Sequence, residues 1–175
     1  DHSTNRATWK YVWWVTQAFP DNGCASGQGV NYTFEVSEDA WIEDIDLGVI
    51  VAHPARGEVR VTLRGPMDAN PVTMIEPSTD SNSNYNLRID DASTLPINDG
   101  TRDDLTLPLF KRDVGPQTDG SLDAYRGLNA RGTWQVFVCD SKTGNNGSVY
   151  DLELFFTTNI NRPQQIFLPL VITGE

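Results

Sequence analysis

The period of two in residues 58–65, EVRVTLRG, constrains this chain more than any other feature. Val59, Val61 and Leu63 fall on one side and Arg60, Thr62 and Arg64 on the other. That spacing gives a strand one core face and one wet face. It recurs elsewhere. Residues 42–53 set Ile45, Leu47, Val49 and Val51 against Asp46 and Gly48, and residues 148–156 set Tyr150, Leu152, Leu154 and Phe156 against Asp151 and Glu153. YVWWV (11–15) and YTFEV (32–36) are rich in aromatic and β-branched residues, which suit a pleated surface. In RGTWQVFVCD (131–140) both faces are largely apolar, so this strand is expected to be buried on two sides. Nowhere does a 3.6-residue period hold for three turns. Clusters such as RGPMDANP, NDG, TDG and TGNNG separate the runs. Short strands between such turns read as an all-β sandwich or barrel.

A chain of 175 residues is long enough for one domain with a substantial core. It carries 13 Lys and Arg against 24 Asp and Glu, a net charge of -11. That balance argues against binding nucleic acid or an anionic membrane surface, both of which need basic patches. No run of about 18 apolar residues is present, so no membrane span is expected. The sequence opens on Asp1 without a leader, which fits a removed signal peptide or a chain cut from a longer one. Low lysine, abundant Asn, Thr and Ser, and the absence of a cysteine cluster point to a secreted or cell-surface location, to which the two sequon-type triplets at Asn31 and Asn146 add little.

Three regions depart from the strand pattern. Residues 76–130 are polar, acidic and turn-rich, and read as a long loop region with a short helical turn in GSLDAYRGL. At the C-terminus, a polar linker (INRPQQ) leads into IFLPLVIT, in which Ile166, Leu168 and Leu170 line one face and Phe167 and Val171 the other. At the N-terminus, WKYVWWV places Trp9, Tyr11, Trp13 and Trp14 close together. A strand so apolar must pair with something or become an aggregation site.

The ordered motifs resemble the P/Homo B domain, the β-sandwich that follows the protease domain in subtilisin-like proprotein convertases. The resemblance runs over about residues 18–157. It is carried by FPDNG followed by GVNYTFEV, by IEDIDLGVIVAHPARGEVRVTLRGPMDANPVTMI, by IDDAST, and most specifically by VGPQTDGSLDAYRGLNARGTWQVFVCDSKTGNNGSVYDLELFF. The sequence departs from the family at Gly57-Glu58-Val59, where Gly-Asp-Leu is usual, and at Tyr150-Asp151, where a Trp is common. The resemblance implies a jelly-roll, galactose-binding-like β-sandwich with Trp134 in its core; residues 1–17 and 158–175 lie outside the family pattern and read as extra strands at the two termini. It also implies an accessory domain without catalysis.

The residue inventory is consistent with a non-enzyme. His2 and His53 are the two histidines, and no Gly-x-Ser-x-Gly elbow occurs. His53 reads as a strand-end residue bonded to backbone. Asp44 with Asp46, Asp90-Asp91 and Asp103-Asp104 are carboxylate pairs, but adjacent residues on a strand face opposite ways, so the adjacent pairs do not oppose each other across a cleft. They suit solvent or calcium, which takes six to eight oxygens. Asp90, Asp91 and Asp140 are the expected ligands if calcium is the cofactor, Asp140 otherwise capping the turn after its strand. No other cofactor is expected. Cys24 and Cys139 are expected to form a disulfide, the alternative being that Cys139 is a small buried apolar residue.

Three functions fit. The expected one is a non-catalytic extracellular structural subunit, a homo-oligomer or polymer built by strand addition through Trp9, Tyr11, Trp13, Trp14, Ile166, Phe167, Leu168, Leu170 and Val171. The alternatives are an accessory or targeting domain of a secreted subtilisin-like protease and a carbohydrate-binding module.

Overall fold

The structure, a computed structural model, describes residues 6–14, 16–66, 71–107, 109–117 and 122–159. It is an all-β sandwich. The strands are β1 (Arg6–Trp13), β2 (Gln17–Phe19), β3 (Val30–Val36), β4 (Trp41–Ala52), β5 (Val59–Arg64), β6 (Val72–Ile75), β7 (Tyr85–Ile89), β8 (Arg112–Val114), β9 (Gly132–Asp140) and β10 (Gly147–Asn159). One sheet has the order β1-β10-β4-β7-β8, with β2 also on β10; the other has the order β3-β9-β5-β6. The chain crosses between sheets from β2 to β3, β3 to β4, β4 to β5, β6 to β7, β8 to β9 and β9 to β10, which is jelly-roll behaviour.

Alternation sets the core. Val59, Val61 and Leu63 of β5 and Leu152, Leu154 and Phe156 of β10 are fully buried. Trp134 lies between the sheets, edge-on to Tyr125 and Phe156, and its Nε1–H donates to the Ala130 carbonyl at 2.8 Å. The Tyr125 hydroxyl donates to the Leu63 carbonyl at 2.7 Å, so the polar ends of both rings are satisfied.

Two expectations about strand faces are corrected. β9 is not buried on both sides: Trp134, Val136 and Val138 face the core, while Gln135 and Phe137 stay partly exposed. β9 is flanked by β3 and β5, but the described residues lay no further layer over its outer face. Tyr150 does not join the core row of β10. A register shift between Val149 and Asp151 opposite β4 turns it outward, and it is 44% exposed.

The region expected to be loop holds β7, β8 and a 3-10 turn at Leu122–Tyr125. β7 and β8 pair in parallel, and the chain just before β8 lies on the outer face of the larger sheet at Phe110. Phe110 packs there edge-on to Phe155 and against Gly48, where a Cβ would lie 2.6 Å from the Phe110 ring. Gly48 is needed because the ring sits on the backbone itself.

The N-terminal strand pairs within its own sandwich. β1 pairs along β10 from Arg6↔Asn159 to Trp13↔Leu152, and β2 continues along the same edge from Gln17↔Val149. Trp13 is buried against Tyr32 at 4.6 Å between ring centroids, and Trp9 and Tyr11 pack on the core, Tyr11 edge-on to Phe156. Of the residues expected at an assembly interface, Trp9, Tyr11 and Trp13 turn their rings toward their own sandwich. Ile166, Phe167, Leu168, Leu170 and Val171 lie outside the described residues.

Candidate functional site

β4 ends at Ala52, and the chain turns sharply so that β5 can start at Val59 in the opposite sheet. β5 and β9 pair with Val59 opposite Asp140. This register places three polar side chains at one end of the sandwich: His53 just past β4, Glu58 just before β5, and Asp140 at the close of β9. One ligand-type atom from each lies within 4.8 Å of the others. The His53 and Asp140 side chains are fully buried, with Nε2 and Oδ2 3.3 Å apart; Glu58 is partly exposed.

Each group is held from outside the cluster. The His53 backbone exchanges hydrogen bonds with Asn84, and its Nδ1 lies 2.8 Å from the Ala55 carbonyl oxygen and 3.2 Å from the Ala55 nitrogen. Phe19 stacks parallel to the imidazole at 6.0 Å. Gly147 lies against both rings: a Cβ there would collide with Phe19 Cζ and stand 2.7 Å from His53 Cδ2. Asp140 Oδ1 accepts the Lys142 N–H at 2.9 Å, the turn cap expected of it, and Glu58 Oε2 accepts from Asn145 Nδ2 at 2.9 Å. The Ser141 N–H and hydroxyl both donate to the Glu58 carbonyl. Next to Asp140 is the Cys24–Cys139 disulfide, which joins positions 115 apart with a Cα separation of 5.1 Å.

The neighbouring buried charge is of another kind. Arg56 is fully buried over the Tyr85 ring; Nε donates to Asp80 at 2.8 Å and Nη1 to Asp103 at 3.2 Å. Asp103 also accepts from Arg112 Nε at 2.8 Å and Nη2 at 2.9 Å, and Arg112 reaches Asp99 at 2.9 Å. This alternating chain of charges fastens the long segment to the sandwich. Asp103 is therefore a buried structural carboxylate rather than a solvated one, whereas Asp104 is exposed and bonds Lys111 and Thr106.

The three expected calcium ligands fall into two places. Asp90 follows β7 at the end that pairs with Leu47, and its Oδ1 accepts the Ala92 N–H at 2.7 Å. Asp91 accepts the N–H groups of Leu122 and Asp123, capping the 3-10 turn. Asp90 stands near Asp44 and Asp46. Burial first, then the charges of Asp90 and Asp44, push the Asp46 carboxyl up to about 7. His53 lies seven residues on from Asp46 along an extended chain, roughly 23 Å, so Asp90 and Asp91 do not join Asp140 in one site.

On the outer face of the larger sheet, Trp14, Ile50, Leu105, Leu107, Leu109, Tyr150 and Asp151 line an apolar groove of about 430 Å³. Trp14 is 68% exposed and Leu107 77%. Of the aromatic cluster in β1 and the residue after it, Trp14 alone faces solvent this openly.

No family model matches this sequence, and no curated protein does. Solved structures do. The serine protease of Aeromonas sobria, alone and in complex with its chaperone, superposes with TM-scores of 0.55 and 0.56 at 14% identity, covering 88% of this chain. The match spans 27% of that protease, so this chain corresponds to about a quarter of its length. FlhE is similar over 88% of this chain and 97% of its own, at a TM-score of 0.44 and 8% identity. The likeness to the protease is one of fold.

Proposed function

We propose that this chain is a non-catalytic accessory β-sandwich that works beside a hydrolase in a secreted or cell-surface protein. The observation that carries this reading is the likeness of nearly the whole sandwich to a quarter of a serine protease chain. The order of P/Homo B-like motifs supports it. So does the disulfide, since such bridges persist in oxidising compartments outside the cytoplasm. His53 is packed against Phe19 and Gly147, and its ring nitrogens face Ala55 and Asp140 rather than a nucleophile.

The second reading, a self-assembling subunit, rests on the apolar run Ile166, Phe167, Leu168, Leu170 and Val171. Light scattering of the purified chain at micromolar concentration separates the two, with peptide and ester hydrolysis measured in parallel. The accessory reading expects a monomer without turnover. A polymer that disappears when residues 160–175 are deleted would replace it with the assembly reading. Turnover abolished by Asp140→Asn would overturn both.

A further inference from the structure

We propose that His53, Glu58 and Asp140 form a binding site for a divalent metal of the zinc class. The setting of His53 is the first argument. Its Nδ1 meets only backbone: the Ala55 carbonyl oxygen lies 2.8 Å away and the Ala55 N–H, directed at it, 3.2 Å. The other nitrogen, Nε2, faces Asp140 Oδ2 3.3 Å away, and both side chains are out of reach of solvent. A cation held between Nε2 and Asp140 would leave Nδ1 to donate to the Ala55 carbonyl, and a backbone carbonyl on the far nitrogen is the usual support of a metal-binding imidazole.

The spacing is the second argument. Two ligands each about 2.0–2.1 Å from a tetrahedral zinc stand about 3.3 Å apart. The His53–Asp140 separation is 3.3 Å, longer than an ordinary charge-assisted hydrogen bond. Glu58 brings a third ligand within 4.8 Å from the partly exposed side, leaving room for water as a fourth. Charge is the third argument: a neutral imidazole and two carboxylates balance a dication. Lys142, the cationic side chain next along from Asp140, is directed to the Ser78 carbonyl instead.

The donor set selects the ion. An imidazole nitrogen with two carboxylates suits zinc, cobalt or nickel, whereas calcium needs a larger, all-oxygen shell. Phe19 and Gly147 fix the ring before any metal arrives. The site ties together the ends of β4 and β9 and the start of β5, beside the disulfide.

The test uses the whole chain, stripped with chelator and titrated with zinc, cobalt and calcium. Expected are one zinc per chain by elemental analysis, a melting temperature raised by about 5 °C or more at a hundredfold excess over Kd, and tetrahedral cobalt absorption. Calcium leaves the melting temperature unmoved. Glu58→Gln, on the partly exposed side of the site, weakens zinc at least tenfold in a folded protein, and His53→Gln abolishes it. If His53→Gln does not fold, Glu58→Gln with cobalt spectroscopy decides. Zinc binding that survives Glu58→Gln unchanged, no zinc binding at all, or a shift with calcium alone would overturn the proposal and leave His53 and Asp140 as an ion pair. None of these outcomes bears on the accessory reading, which is tested by mass and turnover.

Discussion

Asp151 and Asp46 sit on strands where side chains are covered, and neither is neutralised by a close bidentate cation. Asp151 is buried beside Glu153, which itself holds Lys10 at 3.1 Å; burial first, then the Glu153 charge, push Asp151 up to about 7. Asp46 is raised to the same value, with Arg88 no nearer than 3.8 Å. Between about pH 4 and 7 the folded chain therefore holds protons that the unfolded chain has released. Stability from these two groups is complete below the unfolded carboxylate range and is lost as pH rises through 7. The chain is expected to melt a few degrees higher at pH 5 than at pH 8. Asp46→Asn combined with Asp151→Asn should remove most of that difference and raise stability at pH 8. A melting curve that rises toward pH 8 in the wild type would contradict the assignment. The periodic pattern placed both residues on the wet face of their strands, which is true of the sheet but not of the molecule. The loop carrying Leu105, Leu107 and Phe110 covers that face, and nothing in the local alternation announces it.

β1 is an edge strand with an unusual load. Its inward row, Trp9, Tyr11 and Trp13, is large and aromatic, and its pairing closes β10 along residues 152–159. Without it, β10 would present a long apolar edge, and β2 covers only residues 147–149. Deleting residues 1–13 is expected to destabilise the sandwich by several kcal/mol, since Trp or Phe truncation in cores alone costs about 3–5 kcal/mol. The shortened chain should also aggregate, visible as increased scattering at a concentration where the full chain is clear. A truncated chain that stays monomeric with unchanged melting would show that β1 contributes little. The strands themselves were legible wherever one face was apolar and the other polar, as in β5. β8 was not, because three residues of RDV carry no period, and it exists through parallel pairing with β7 and the Arg112 contacts. The aromatic N-terminal strand was correctly read as needing a partner. Whether that partner lies in the same chain is a question of long-range pairing, and period two says nothing about it.

The disulfide acts on the molecule as a whole. It links the 3-10 turn at Gly23–Ser26 to the end of β9 and closes a loop of 115 positions. A loop that long stabilises by about 4–5 kcal/mol if its effect is mainly on the unfolded chain. Cys24→Ser with Cys139→Ser is expected to cost about 2–5 kcal/mol, measured as a lower denaturation midpoint with the β-type circular dichroism retained in the surviving folded fraction. A midpoint shifted by less than about 0.5 kcal/mol would contradict this. At this scale the two-cysteine count was readable, and so was the sandwich. The His53–Glu58–Asp140 cluster was not, although two of its members had been singled out separately. Glu58 joins them only because β5 and β9 pair in one register, and a shift by one residue would turn it away.

The pairing of Arg6 with Asn159 also governs the order in which the molecule comes into being. A ribosome releases β1 first and β10 last, so the first strand made has no partner until almost the whole chain has emerged. β3 waits for β9 in the same way, and Cys24 for Cys139. The native contacts are thus mostly long in sequence, which slows folding. For that interval Trp9, Tyr11 and Trp13 lie bare on an unpaired strand, the condition in which nascent β proteins misassociate. The sandwich can close only once β10 is available to β1, in a late event that seats its first and last strands together. Its bridge then forms only where Cys24 and Cys139 can oxidise.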